Sequence, residues 1–164
     1  MTYLAIAELA RGGFGVVETV RASNGSLAAR KRFDPLPPVG SDAAQRDLAR
    51  KRFVREARTQ SAIEHQNIMP IIDAGLDDDE PWYIMPLATE SYRAQVERDR
   101  TAKAITLEPL LDILAGLEEL HRLGYVHRDL RGCYGLMAAW TTFVSMMDAK
   151  ARKCRPRNVS GERS

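Results

Sequence analysis

Four groups of residues in this 164-residue sequence have the types that chemistry requires. Arg11-Gly12-Gly13-Phe14-Gly15 is a glycine-rich turn, where backbone N–H groups can approach an anion with no side chain intervening. Lys31 offers a cation inside a strand-prone run, and Glu56 a carboxylate inside a helix-periodic one. His127-Arg128-Asp129 places an aspartate, a proton acceptor, in a polar loop behind an amphipathic stretch. Each alone has an ordinary reading: a hairpin turn, a solvated strand lysine, a solvated helix glutamate, a polar loop. Their order and their structural setting give them a joint meaning.

That setting comes from the patterning around them. Tyr3 to Leu9 and Val16 to Val20 read as strands on either side of the glycine turn. Ser23-Asn24-Gly25-Ser26 carries an Asn-Gly hairpin signal ahead of a third strand, Leu27 to Phe33. Asp34 to Asp42 holds three prolines and a glycine and reads as a loop, with Ser41 or Asp42 capping a helix that runs to about Ile63. Ala49, Phe53 and Ala57 recur on that helix at core spacing. Two more strands are expected at Ile68 to Ala74 and Trp82 to Leu87, separated by the acidic turn Asp77-Asp78-Asp79-Glu80. Thereafter the pattern is helical: a short charged helix over Tyr92 to Arg100, then Leu107 to Leu123 with Leu110, Ile113, Leu114, Leu117 and Leu120 on one face. Pro109 near its start and Gly124 after its end fit the usual asymmetry of helix ends.

Composition excludes extremes only. There are 24 Lys and Arg against 22 Asp and Glu, a net charge of +2, and 45% of residues are hydrophobic, so one buried core is expected rather than disorder. No run approaches the roughly 18 apolar residues of a spanning helix. Two cysteines, Cys133 and Cys154, make neither a disulfide framework nor a metal-ligand pattern, and a soluble cytoplasmic protein is expected. The totals conceal an asymmetry: from Met147 to Ser164 six basic residues face only Asp148 and Glu162, giving this tail +4 and the remainder −2.

Over roughly residues 1 to 130 the sequence resembles the eukaryotic-type serine/threonine protein kinase family. Leu9-Ala10-Arg11-Gly12-Gly13-Phe14-Gly15-Val16-Val17 is similar to its glycine-rich loop, with Ala10 where the first glycine is usual. Ala28-Ala29-Arg30-Lys31 resembles its Val-Ala-Ile-Lys strand, and Phe53-Val54-Arg55-Glu56 the start of its conserved helix. His65-Gln66-Asn67-Ile68 resembles the turn before the fourth strand, Trp82 to Ala88 the fifth strand and hinge, and His127-Arg128-Asp129-Leu130 the catalytic loop. The resemblance implies that ATP and Mg2+ are bound and that a protein hydroxyl is phosphorylated. By it Lys31 holds the α and β phosphates, Glu56 orients Lys31, and Asp129, beside Arg128, is the catalytic base. Ala10, Gly12 and Gly15 cover the phosphates, Val17 and Ala29 roof the adenine, Met85 backs it, and backbone groups of Pro86 and Ala88 pair with its edge. Pro86 contributes only a carbonyl. Arg128 and the glycine loop favour the protein-directed branch over small-molecule phosphotransferases of the same fold.

After Leu130 the sequence departs from the family. Tyr134 stands where a metal-binding Asn is usual, and neither Asp-Phe-Gly nor Ala-Pro-Glu follows. Residues 131–164 have three readings. They are degenerate family elements, with Asp148 as the metal-binding aspartate nineteen residues after Asp129. Or Arg155-Pro156-Arg157-Asn158-Val159 is a displaced Lys-Pro-x-Asn-Val, with Asn158 the metal ligand. Or the frame is broken near Arg131 and the tail is unselected, which the shift in cysteine, methionine and basic content fits best.

The expected architecture is α+β and protein-kinase-like, truncated. Residues 1–87 form the small lobe, residues 88–130 the hinge, the start of the large lobe and the catalytic loop, and residues 131–164 an atypical basic tail. A non-catalytic pseudokinase that binds nucleotide or protein remains the alternative, on the loss of the Asn and of Asp-Phe-Gly. No membrane is expected as a partner, nor nucleic acid, since the basic tail lacks interleaved aromatics. The protein substrate and the oligomeric state are not legible.

Overall fold

The structure, a computed structural model, describes residues 1–89, 92–102 and 107–126. Its first three strands, β1 (Tyr3–Gly12), β2 (Gly15–Ala22) and β3 (Leu27–Phe33), form the expected antiparallel meander. Gly13 and Phe14 alone make the first turn, since Gly12 pairs with Gly15. In the second turn Gly25 takes a positive φ of 86°, and the Asn24 side chain accepts from the backbone N–H and the hydroxyl of Ser26. These are the local bonds that make Asn-Gly a turn signal.

Helix α1 (Ala43–Ser61) follows, capped by Asp42, whose carboxylate accepts from the Gln45 N–H at 2.8 Å. Its buried residues, Ala49, Phe53, Glu56, Ala57 and Gln60, form one stripe that includes a carboxylate and an amide. The chain then enters the sheet through β4 (Asp73–Gly75) and β5 (Trp82–Pro86). The strand expected from Ile68 is shorter than its apolar run. Pro70 has no N–H to give a ladder, and the Met69 carbonyl is taken at 2.8 Å by the Gln60 side chain, so regular pairing starts only at Asp73. The complete sheet has the order β1-β2-β3-β5-β4, antiparallel throughout.

The sheet's alternation separates two apolar layers. Val20, Ala28 and Ile84, with Tyr3 and Trp82, pack on the outer face. Ala29, Phe33, Tyr83 and Met85 pack on the inner face against Ala49, Phe53 and Ala57 of α1. Phe53 is the centre of this layer, with its ring 5.8 Å from that of Phe33 and 5.4 Å from that of Tyr83.

Two further helices complete the described chain, α2 (Tyr92–Thr101) and α3 (Glu108–Arg122). Leu117 and Leu120 of α3, with Ile113 beside them, pack on Ile63 and Ile68 in the segment after α1. Leu110 and Leu114, which share that face by spacing, are exposed at 43% and 52%. The contact with Ile63 and Ile68 is narrow and uses only the stripe through Ile113, Leu117 and Leu120. The fold is therefore α+β: a five-stranded antiparallel sheet with one helix on its inner face, joined to the first helices of a second, helical part. Among the described residues no helix is long and apolar enough to cross a membrane.

The two faces of α1 predict opposite outcomes in urea denaturation. Phe53→Ala should cost about 3–5 kcal/mol, the usual loss for a buried aromatic, whereas Leu48→Ala, at a position 51% exposed, should stay within about 0.5 kcal/mol of the parent.

Candidate functional site

The candidate residues of the strands meet because register places them in rows. Val17 of β2 lies opposite Lys31 of β3, which lies opposite Tyr83 of β5. One step along, Thr19, Ala29 and Met85 form the next row. Ala10 of β1 faces Val17. Positions two apart on a strand share a face, so Ala29, Lys31, Tyr83 and Met85 all lie on the inner side of the sheet, with Val17 packed against the same layer. Sequence-distant β3 and β5 are thus joined into one wall.

Glu56 reaches this wall from α1, three residues after Phe53. Its Oε1 accepts a hydrogen bond from Lys31 Nζ at 2.7 Å. The pair is sequestered, with the lysine side chain 12% exposed and the glutamate 7%. Phe53 and Tyr83 flank the ammonium, each ring centroid 5.6 Å from Nζ. Burial alone would lower the lysine's pKa, but the charge and hydrogen bond of Glu56, with Tyr83 adding to them, outweigh it. Lys31 is therefore held above the ordinary lysine range, as a permanent cation. Burial likewise pushes the Tyr83 phenol up, and the adjacent Lys31 opposes this without reversing it.

The glycine turn is fastened from below. Arg11 donates to Glu8 and to Asp34, each at 2.8 Å, while Asp34 N–H donates to the Phe14 carbonyl and Leu36 N–H to the Gly13 carbonyl. The hydrogen bond from Arg11 holds the Asp34 carboxyl below the usual range against a smaller opposing effect of burial. The glycines differ in their reasons. A Cβ on Gly15 would strike the Arg32 carbonyl oxygen, so that glycine is demanded by the sheet. A Cβ on Gly12 would meet nothing nearer than the Gly15 oxygen at 3.9 Å, so the fold leaves that position open.

At the far end of β5, Pro86 pairs with Ala28 and is exposed, and Ala88 is half-buried just beyond. A separate apolar cleft of about 470 Å³ opens between Ile63–Met69 and Pro86–Ala88. It shares the hinge residues but not Val17, Ala29, Lys31 or Met85, so it is not the predicted slot. Arg128, Asp129, Asp148 and Asn158 lie outside the described residues. Among the described residues no group of three or more His, Cys, Asp or Glu is arranged to hold a metal ion.

Apolar Val17, Ala29 and Met85 thus lie beside the buried cation of Lys31 on one face of the sheet, and a Cβ at Gly12 would clash with nothing. The sequence reading did not single out Tyr83, the Arg11 clamp or the Gln60 bond to Met69. Only the pairing of β3 with β5 brings the first of these to Lys31.

Residues 3–133 match the protein kinase domain family. The chain is 28% identical over 144 residues to serine/threonine-protein kinase PknD of Chlamydia muridarum, covering 79% of this chain and 15% of that protein. To serine/threonine-protein kinase 16 of Mus musculus it is 29% identical over 140 residues, 79% of this chain and 43% of that protein. To serine/threonine-protein kinase PksC of Streptomyces coelicolor it is 34% identical over 97 residues, 50% of this chain and 16% of that protein. It thus spans less than half the length of each of these relatives. With the sheet, the buried Lys31–Glu56 pair and the glycine turn in the order the match requires, the chain belongs to the protein kinase family.

Proposed function

We propose that residues 1–87 are the ATP-binding small lobe of a serine/threonine protein kinase, that residues 88–130 hold its hinge, the start of its large lobe and its catalytic loop, and that residues 131–164 form a basic tail. The observation that carries this reading is the buried ion pair of Lys31 and Glu56, 2.7 Å apart, with Lys31 paired to Val17 two residues after Gly15 of the glycine turn. A structural role alone gives little reason to bury a charge pair where apolar residues serve as well. Holding an ammonium ready for phosphate does.

The chain's own groups divide the work. Val17 and Ala29 roof the adenine and Met85 closes the back of its slot. The Pro86 carbonyl accepts from the base edge and the Ala88 backbone completes the pairing. Ala10, Gly12 and Gly15 cover the phosphates, and Lys31, oriented by Glu56, meets the α and β phosphates. A serine or threonine hydroxyl oxygen attacks the γ-phosphorus, the bond to the β,γ-bridging oxygen breaks, and ADP leaves. The hydroxyl proton passes to Asp129, with Arg128 beside it. Mg2+ would supply charge neutralisation at the phosphates, held by Asp148 where residues 131–164 are degenerate family elements or by Asn158 where the Lys-Pro-x-Asn motif is displaced. Two cysteines and a need for ATP support a cytoplasmic setting.

Three outcomes test this reading. Mg-ATP should raise the thermal midpoint of the purified chain. Lys31→Met should abolish that shift and, by stranding Glu56, cost about 3–5 kcal/mol of stability. Adding Glu56→Leu should recover most of the stability but none of the nucleotide shift, and a shift that survives in the double variant would sink the assignment of Lys31.

Gly12→Ala should leave the denaturation midpoint unchanged, because its Cβ has space, and weaken Mg-ATP binding roughly tenfold by calorimetry, about 1.4 kcal/mol. Equal affinity would remove Gly12 from the phosphate site. With a generic protein substrate, Asp129→Asn should lower phosphate incorporation by about 10²–10⁴, the usual worth of a general base. No incorporation by the parent chain, despite nucleotide binding, would point to the pseudokinase alternative.

A further inference from the structure

Tyr83 is fully buried, yet its hydroxyl has no hydrogen-bond partner among the described residues. An idle phenol in that position is costly, because its polar atom has left water with nothing in exchange. Its location gives it a use. Tyr83 lies opposite Lys31 in the β3–β5 ladder and on the same face. Lys31 Nζ stands 5.6 Å from its ring centroid, and the charges of Lys31 and Glu56 both act on its phenol. The nearest aromatic neighbour, Phe53, offers the hydroxyl neither donor nor acceptor.

We propose that Tyr83 is a positioning residue for Lys31: its hydroxyl accepts from the Lys31 ammonium and donates to the Glu56 carboxylate, closing a three-membered ring of hydrogen bonds. An ammonium has three N–H donors and a carboxylate two acceptor oxygens. The Lys31–Glu56 bond uses one of each, and the phenol, both donor and acceptor, is the group that joins a second of each. Closing the ring brings the phenol oxygen within hydrogen-bond distance of both charged groups. With two of its N–H directions set by Glu56 and Tyr83, the ammonium cannot spin about either bond, and the third direction is set as well. That this direction serves a nucleotide phosphate rests on the reading above; the ring itself does not.

The test uses Tyr83→Phe in the full chain, which keeps the ring against Phe53 and removes only the oxygen. The acylation rate of Lys31, read by mass spectrometry of its peptide without nucleotide at pH 8 to 10, should rise about fivefold, the equivalent of one hydrogen bond of about 1 kcal/mol. Backbone amide exchange in β3 and β5 should stay unchanged, and the thermal midpoint should not rise. An unchanged acylation rate overturns the proposal. So does a faster rate accompanied by faster amide exchange, which would mean loosened packing, or a higher midpoint, which would mean an idle hydroxyl had been relieved. Mg-ATP protection of Lys31 in the parent chain, weakened about fivefold in the variant, extends the ring to nucleotide positioning. Failure of Mg-ATP to protect the parent would sink the nucleotide reading alone, since the nucleotide-free rates judge the ring by themselves.

Discussion

The contact between Lys31 and Glu56 is the constraint around which the described structure is arranged. Two opposite charges in a poorly solvated place need close approach and supporting dipoles to offset what they lose by leaving water. Satisfying that need ties the sheet to α1 at a single atom pair 2.7 Å apart. Phe53 and Tyr83 then have to be aromatic and correctly tilted, since each presents its ring to the same ammonium. Ala49 and Ala57 have to be small, because α1 must lie close enough to the sheet for a glutamate to reach across. The core and the candidate site are therefore one object, in which a change to either partner is felt as a change in packing.

Local signals carried much of the sheet and its neighbours into view from sequence. Asn24-Gly25, the glycine turn and Asp42 each act through backbone bonds within a few residues, and all three turned out where their chemistry requires. The same holds for the core stripe through Ala49, Phe53 and Ala57, which follows from helical periodicity. The early part of the Ile68–Ala74 run misled for an equally physical reason. Ile68 and Met69 are buried, but Pro70 and the side-chain bond from Gln60 to Met69 remove the ladder that would have made it a strand. Periodicity reports burial, not hydrogen bonding. On α3 the leucines share one face by spacing, but only the stripe through Ile113, Leu117 and Leu120 meets Ile63 and Ile68, and Leu110 and Leu114 are exposed.

The site divides along similar lines. Lys31, Glu56 and the glycine turn could be named because a family pattern links them in order along the chain. Tyr83 could not, because its relation to Lys31 exists only across the junction of β3 with β5, strands separated in sequence by the whole of α1. Nor could the different reasons for Gly12 and Gly15, which look alike in a motif. One is required by a carbonyl of the neighbouring strand, and the other leaves open space. A motif records which residue is present without recording which neighbour requires it.

The bond from Gln60 to the Met69 carbonyl has a mechanical consequence for α1. It anchors the helix near its C-terminal end, one turn beyond Glu56. At 1.5 Å per residue, Glu56 stands about 6 Å from this anchor and Asp42 about 27 Å. A tilt of about 10° about the anchor would carry the capped end through nearly 5 Å but Glu56 through only about 1 Å. The glutamate occupies the short arm of a lever. Tilting of the helix is therefore felt most at its capped end and least at the ion pair.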